Sequence, residues 1–203
     1  MLLRTLRRLL QPINREDLTF IAVDTETTGL DPSTCAVTEV GWQIVHRGKL
    51  ENASSAFVRM NPACLVDDNE VCKKNAERAT NLQFDHIEPG LVRLRHCGEM
   101  LLRETGVRPH LVFHNAPFDV SFISTNSIDP VRWLFQEDAG PFSRRMFDTQ
   151  VAVQPLVMRG QLKSQSLKAV CELLGVKPGN HTAAEDARAT AECYIKLLTE
   201  GWV

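Results

Sequence analysis

Four consecutive apolar residues, Phe20 to Val23, run directly into Asp24 and Glu26, and Thr27-Thr28-Gly29 closes the run. An apolar run this short, bounded by a turn, reads as a buried strand, and on a strand residues i and i+2 share a face. Asp24 and Glu26 therefore point the same way. Two neighbouring anions at the end of a buried strand repel each other and lose hydration unless a cation lies between them. The spacing asks for a divalent metal, and hard carboxylate oxygens suit Mg²⁺ or Mn²⁺. An isolated D-x-E is also the ordinary solvated end of an edge strand, so the rest of the chain has to separate the two readings.

With 203 residues the chain is long enough for one well-buried domain and short for two. No apolar stretch approaches the roughly 20 residues of a membrane span. A net charge of −2 argues against a protein that coats long duplexes by counterion release alone, so any nucleic-acid contact should be local. The six cysteines contain no C-x-x-C pair, and no secretory signal is visible, so they read as reduced thiols in a cytoplasmic protein.

Residues Met1 to Arg15 set leucines at helical spacing against Arg4, Arg7 and Arg8, with Pro12 ending the pattern, so residues 1–17 read as a basic amphipathic helix ahead of a domain spanning 18–203. After the opening strand, Ala36 to Val45 and Leu50 to Met60 read as two more strands joined by the Arg47-Gly48-Lys49 turn, making an antiparallel meander. Asp67 to Ala79 and Leu91 to Thr105 read as helices, the second opened by Pro89-Gly90 and closed by Gly106; Leu82 to Glu88 carries no clear signal. His110 to His114 is a short strand, and Pro117 opens a helix that carries Asp119 in its first turn. Arg144 to Asp148 completes the strands. Helices follow over Asp148 to Val157, Gln165 to Leu174 and Thr182 to Leu198. The order predicts an α/β fold with a mixed sheet and the first strand central.

The last helix places Asp186 within its first turns and His181 at its entry. Asp24-Thr-Glu-Thr-Thr-Gly-Leu30, His114-Asn-Ala-Pro-Phe-Asp119 and His181-x-x-x-x-Asp-Ala187 resemble, in order and spacing, the three motifs of the DnaQ-like 3′-to-5′ exonucleases, in the subgroup with four acids and a histidine (DEDDh). The resemblance spans residues 19 to 199. It implies an RNase H-like fold with a five-stranded mixed sheet, an antiparallel meander plus two parallel strands, flanked by helices. It implies that Asp24, Glu26, Asp119 and Asp186 hold two Mg²⁺ or Mn²⁺ ions and that His181 is the general base. It further implies that Thr27, Thr28, Leu30, His114, Asn115 and Phe118 surround the terminal nucleotide of a single-stranded 3′ end. The turn Asp-Thr-Glu-Thr-Thr-Gly is closer to the proofreading type than to the oligoribonucleases, which favours DNA over RNA.

Two features depart from the family pattern. Asp67 to Glu88 lacks the His-Gly-Ile/Leu segment that many relatives carry, with His86-Ile87 its nearest echo, and the N-terminal basic segment is not required by the core fold. That segment is a candidate for docking a polymerase, a second copy of the chain or nucleic acid. Arg144, Arg145, Arg159, Lys163 and Lys168 form a loose basic cluster that either guides a single strand or is a solvated surface.

Overall fold

The fold is described from a computed structural model that covers residues 13–58, 64–79, 87–127 and 140–202. In chain order the elements are β1 (Phe20–Thr27), β2 (Val37–His46), β3 (Lys49–Leu50), β4 (Ser54–Phe57), α1 (Glu70–Ala79), α2 (Glu88–Thr105), β5 (His110–Phe113), α3 (Ala116–Asn126) and β6 (Met146–Asp148). Four further helices follow: α4 (Thr149–Ala152), α5 (Gln154–Met158), α6 (Leu167–Leu174) and α7 (Ala183–Thr199). The segment 1–17 lies outside the described residues up to position 12, and Arg15–Asp17 forms a single 3-10 turn.

β1 pairs antiparallel with β2 on one side and parallel with β5 on the other, and the sheet runs β3-β2-β1-β5-β6 with β4 also paired to β2. The alternation along β1 divides the core between two faces. Ile21 and Val23 pack with Leu91 and Leu94 of α2 and Phe113 and Phe122. Phe20 and Ala22 pack with Ala191, Tyr194 and Ile195 of α7. Continuing the same period, Asp24 and Glu26 fall on the α7 face. A third cluster, including Val153, Leu156, Val170, Leu174, Ala189 and Leu197, binds α4, α5 and α6 to the far side of α7.

One glycine decides how closely α7 lies. Gly41 on β2 stands opposite Asp24 in register, and a Cβ there would come well under 3.0 Å from the backbone of Ala183 and Ala184. The missing side chain lets the first turn of α7 rest directly on the strand pair.

The sheet has six strands rather than the five expected. The predicted third strand is split into β3 and β4; at the gap Glu51 still donates its amide to the Ile44 carbonyl, and Gln43 Nε2 donates to the carbonyls of Ile44 and Glu51. Its end toward Met60, like Leu82 to His86, lies outside the described residues. The predicted helix from Asp148 to Val157 is two short helices: Asp148 caps the first, and Pro155, which has no N–H and crowds the carbonyl one turn back, forces a restart at Val153. α1 starts at Glu70 rather than Asp67, whose carboxylate instead accepts from the Leu30 amide at 2.9 Å. α2 begins one turn earlier than expected, with Pro89 in its first turn.

Candidate active site

Asp24, Glu26 and Asp186 converge: each offers one carboxylate oxygen, and these oxygens all lie within 4.8 Å of one another. Two come from adjacent in-facing positions of β1 and the third from the first turn of α7. Asp119, in the first turn of α3 and only 2% exposed, sits beside them but outside that set of three. Its Oδ1 accepts from both the amide and the hydroxyl of Thr25 at 2.8 Å, so the strand residue between the two motif acids holds the fourth.

Burial and mutual repulsion make these acids hard to ionise together. Asp24 is raised well above the usual carboxylate range, first by burial and then by the charges of Asp119, Asp186 and Glu26. Burial pushes Glu26 up to about 7 against the hydrogen bond from Asn75. Burial likewise pushes Asp119 up to about 7 and Asp186 up to about 6, in the second case opposed by His181. Three converging hard oxygen donors of this kind, destabilised by one another, fit a divalent cation.

Several residues that complete the site carried no motif signal. Glu39, 2% exposed, faces Glu26 across the β1–β2 ladder, and its Oε2 accepts from the first amide of α7 at 3.2 Å. Asn75, 3% exposed on α1, donates to Glu26 Oε2 at 2.7 Å and to the Thr27 carbonyl at 3.0 Å. Asp148 accepts from the amides of Asn115 and Ala116 at 3.0 and 2.9 Å, holding the left-handed turn at Asn115 (φ 73°) that starts α3. An acid inside an apolar strand was a readable signal for Glu39; Asn75 and Asp148 become visible only once the inward faces are known.

A cleft of about 590 Å³ opens over the acids, lined by Asp24, His114, Lys168, Asn180, His181 and Asp186 among others. His181 is exposed at its rim with φ 56°, and its carbonyl accepts from Arg78 at 2.9 Å. The Nδ1 of His114 is 2.8 Å from the Thr149 hydroxyl, while its Nε2 is buried; desolvation lowers its pKa. Thr27 donates to the Gly29 carbonyl, and the fully buried Thr28 hydroxyl bridges the Leu65 carbonyl and the Ala36 amide. Leu30 is 75% exposed, and Phe118 packs on Phe122 with ring centroids 4.8 Å apart. Within the loose basic cluster, Lys168 lines the cleft.

Among solved structures the chain is similar to the nuclease domain of 3′hExo, a DEDDh family member bound to rAMP (TM-score 0.64, 15% identity, 90% of this chain and 92% of that one). It is also similar to E. coli Exonuclease I in complex with a dT13 oligonucleotide (TM-score 0.66, 16% identity, 88% of this chain and 40% of that one). The fold is therefore α/β and RNase H-like, of the type these exonucleases share. By sequence the chain is 28% identical over 185 residues to the PolC-type DNA polymerase III of Thermotoga maritima, covering 90% of this chain and 12% of that protein. It is 24% identical over 184 residues to the DNA polymerase III epsilon subunit of Rickettsia conorii, covering 88% of this chain and 73% of that protein. In sequence the chain is thus similar to DNA polymerase III proteins, and in fold to exonucleases that include a DEDDh family member. It spans about an eighth of the PolC-type relatives it matches. No protein-family model matches it. No helix among the described residues is long and apolar enough to cross a membrane.

Proposed function

We propose that the chain is a metal-dependent 3′-to-5′ exonuclease that hydrolyses phosphodiester bonds at single-stranded or frayed DNA 3′ ends and releases nucleoside 5′-monophosphates. The observation that carries this reading is the convergence of Asp24, Glu26 and Asp186 within 4.8 Å beside an open cleft that Asp24 and Asp186 line. These three, with Asp119 beside them, would hold two Mg²⁺ or Mn²⁺ ions, whose charge offsets that of the phosphodiester and of the developing oxyanions. His181 stands at the rim of the same cleft, and histidine is the side chain suited to exchanging a proton near neutral pH. It accepts the proton of the attacking water as the new P–O bond forms and the bond to the 3′ oxygen of the preceding nucleotide breaks. The exposed side chain of Leu30 and the half-buried ring of Phe118 offer apolar surface to a terminal base; neither reads base edges, so weak sequence preference follows. His114 lines the cleft, Asn115 follows it at the start of α3, and the Thr27 and Thr28 hydroxyls act by holding the turn. The polymerase III names of the sequence relatives and the bound oligonucleotide of the E. coli neighbour support DNA ends and a polymerase partner.

The test is a time course on 5′-labelled single-stranded DNA and RNA of one sequence, with Mg²⁺, Mn²⁺ or EDTA, beside Asp24→Ala and His181→Ala. A DNA ladder shortening from the 3′ end, abolished by EDTA and by Asp24→Ala, is expected. His181→Ala is expected to lose most turnover while still binding Mn²⁺ in a titration. Faster RNA shortening would reverse the sugar assignment, and an end that is bound but never consumed would make the chain a binding module.

A further inference from the structure

The segment between α6 and α7 carries His181 in a backbone conformation that non-glycine residues seldom adopt, φ 56°. Such a residue keeps its shape only where its surroundings over-determine it. Two of the tethers on this segment come from α7 itself: Arg188 Nη2 donates to the Lys177 carbonyl at 2.9 Å, and Glu185 Oε2 accepts from the Asn180 amide at 3.1 Å. The third comes from across the site, where Arg78 Nη1 donates to the carbonyl of His181 itself at 2.9 Å, from a residue 103 positions away in the chain. Arg78 lies three residues beyond Asn75 on α1, so the two share a helix face. Asn75 reaches inward to Glu26 and Arg78 reaches over the rim to His181. α1 thus holds the strand acid Glu26 with one residue and the histidine segment with the other.

We propose that Arg78 is a positioning residue for His181: by fixing the carbonyl of the left-handed residue it holds the imidazole over the acids contributed by β1 and α7. The inference rests on the nuclease reading for the role of His181, while the tether itself concerns only this chain's backbone. Removing it leaves the acids and the cleft in place and frees the histidine segment, so turnover falls and binding of the strand does not.

The experiment compares wild type, Arg78→Ala and Arg78→Lys in two measurements. Steady-state cleavage of a single-stranded DNA oligonucleotide in Mn²⁺ is expected to show kcat down about tenfold for Arg78→Ala, about 1.4 kcal/mol of barrier, with KM within about twofold, and partial recovery in Arg78→Lys, whose ammonium also donates to a carbonyl. Hydrogen exchange of the metal-free proteins is expected to show faster exchange of the 179–182 amides in Arg78→Ala, with β1 unchanged. A raised KM with intact kcat would overturn the proposal by making Arg78 a strand contact. Unchanged exchange across 179–182 would overturn it as well. If wild type itself cleaves nothing, the nuclease reading falls, and the exchange comparison still decides whether Arg78 holds the segment.

Discussion

Replacing Gly41 by alanine probes whether the close seating of α7 is what assembles the acids. The added Cβ would overlap the backbone of Ala183 and Ala184, and backbone cannot rotate away as a flexible side chain can. Restoring ordinary contact at 3.4 Å requires α7 to lift from β2 by roughly an ångström. That movement stretches the 3.2 Å bond from the Ala183 amide to Glu39 beyond hydrogen-bonding range and carries Asp186 away from Asp24. Overpacking of this kind costs about 1–3 kcal/mol, and the lost bond to a buried carboxylate places the substitution at the upper end, about 3 kcal/mol. For a domain of this size that lowers Tm by about 6–12 °C. Calorimetry in EDTA gives the stability, and titration of Mn²⁺ into the folded variant at low temperature gives the affinity of the acids, expected to weaken at least tenfold. A Tm within about 2 °C of wild type together with unchanged Mn²⁺ affinity would refute the reasoning, since the helix would then have room that the geometry denies it.

Asn75→Ala leaves Glu26 Oε2 and the Thr27 carbonyl without their donor in a buried setting, so a loss of about 2 kcal/mol in denaturant unfolding is expected, with Asn75→Asp worse because it adds a further anion. The acids also predict a pH dependence of fixed sign. Glu26, Asp119 and Asp186 bind protons more tightly folded than unfolded, so their stabilisation is fully present below about 4 and is lost as pH rises through about 6 to about 7. A bound divalent cation opposes that loss, so the Tm difference between Mn²⁺ and EDTA should widen between pH ~5 and ~8; an equal difference at both ends would contradict the shared origin of the shifts.

The sheet and the placing of the first two acids were legible because strand period is a strong signal: Phe20, Ala22, Asp24 and Glu26 alternate with Ile21, Val23 and Thr25, and the structure sends the two sets to opposite helices. The helix end marked by Gly106 was readable for the same local reason. What escaped was set by tertiary contact. The third strand is interrupted where the Gln43 side-chain amide joins the carbonyls of Ile44 and Glu51, a contact no local pattern announces. The restart at Val153 was present in the sequence as Pro155 but lost to a continuous helical pattern. Glu39, Asn75 and Arg78 lie outside any short motif because their partners are 144, 49 and 103 residues away.

That separation has a consequence for how the site comes into being. β1, β2 and their hairpin partners are local in sequence, whereas the acid set closes only when the first turn of α7 docks on a strand pair made 144 residues earlier. Closing so long a loop is slow compared with forming the hairpins. A chain halted during synthesis before residue 183 would therefore carry the meander and two of the acids while lacking the third, and the converging carboxylates wait for the last helix.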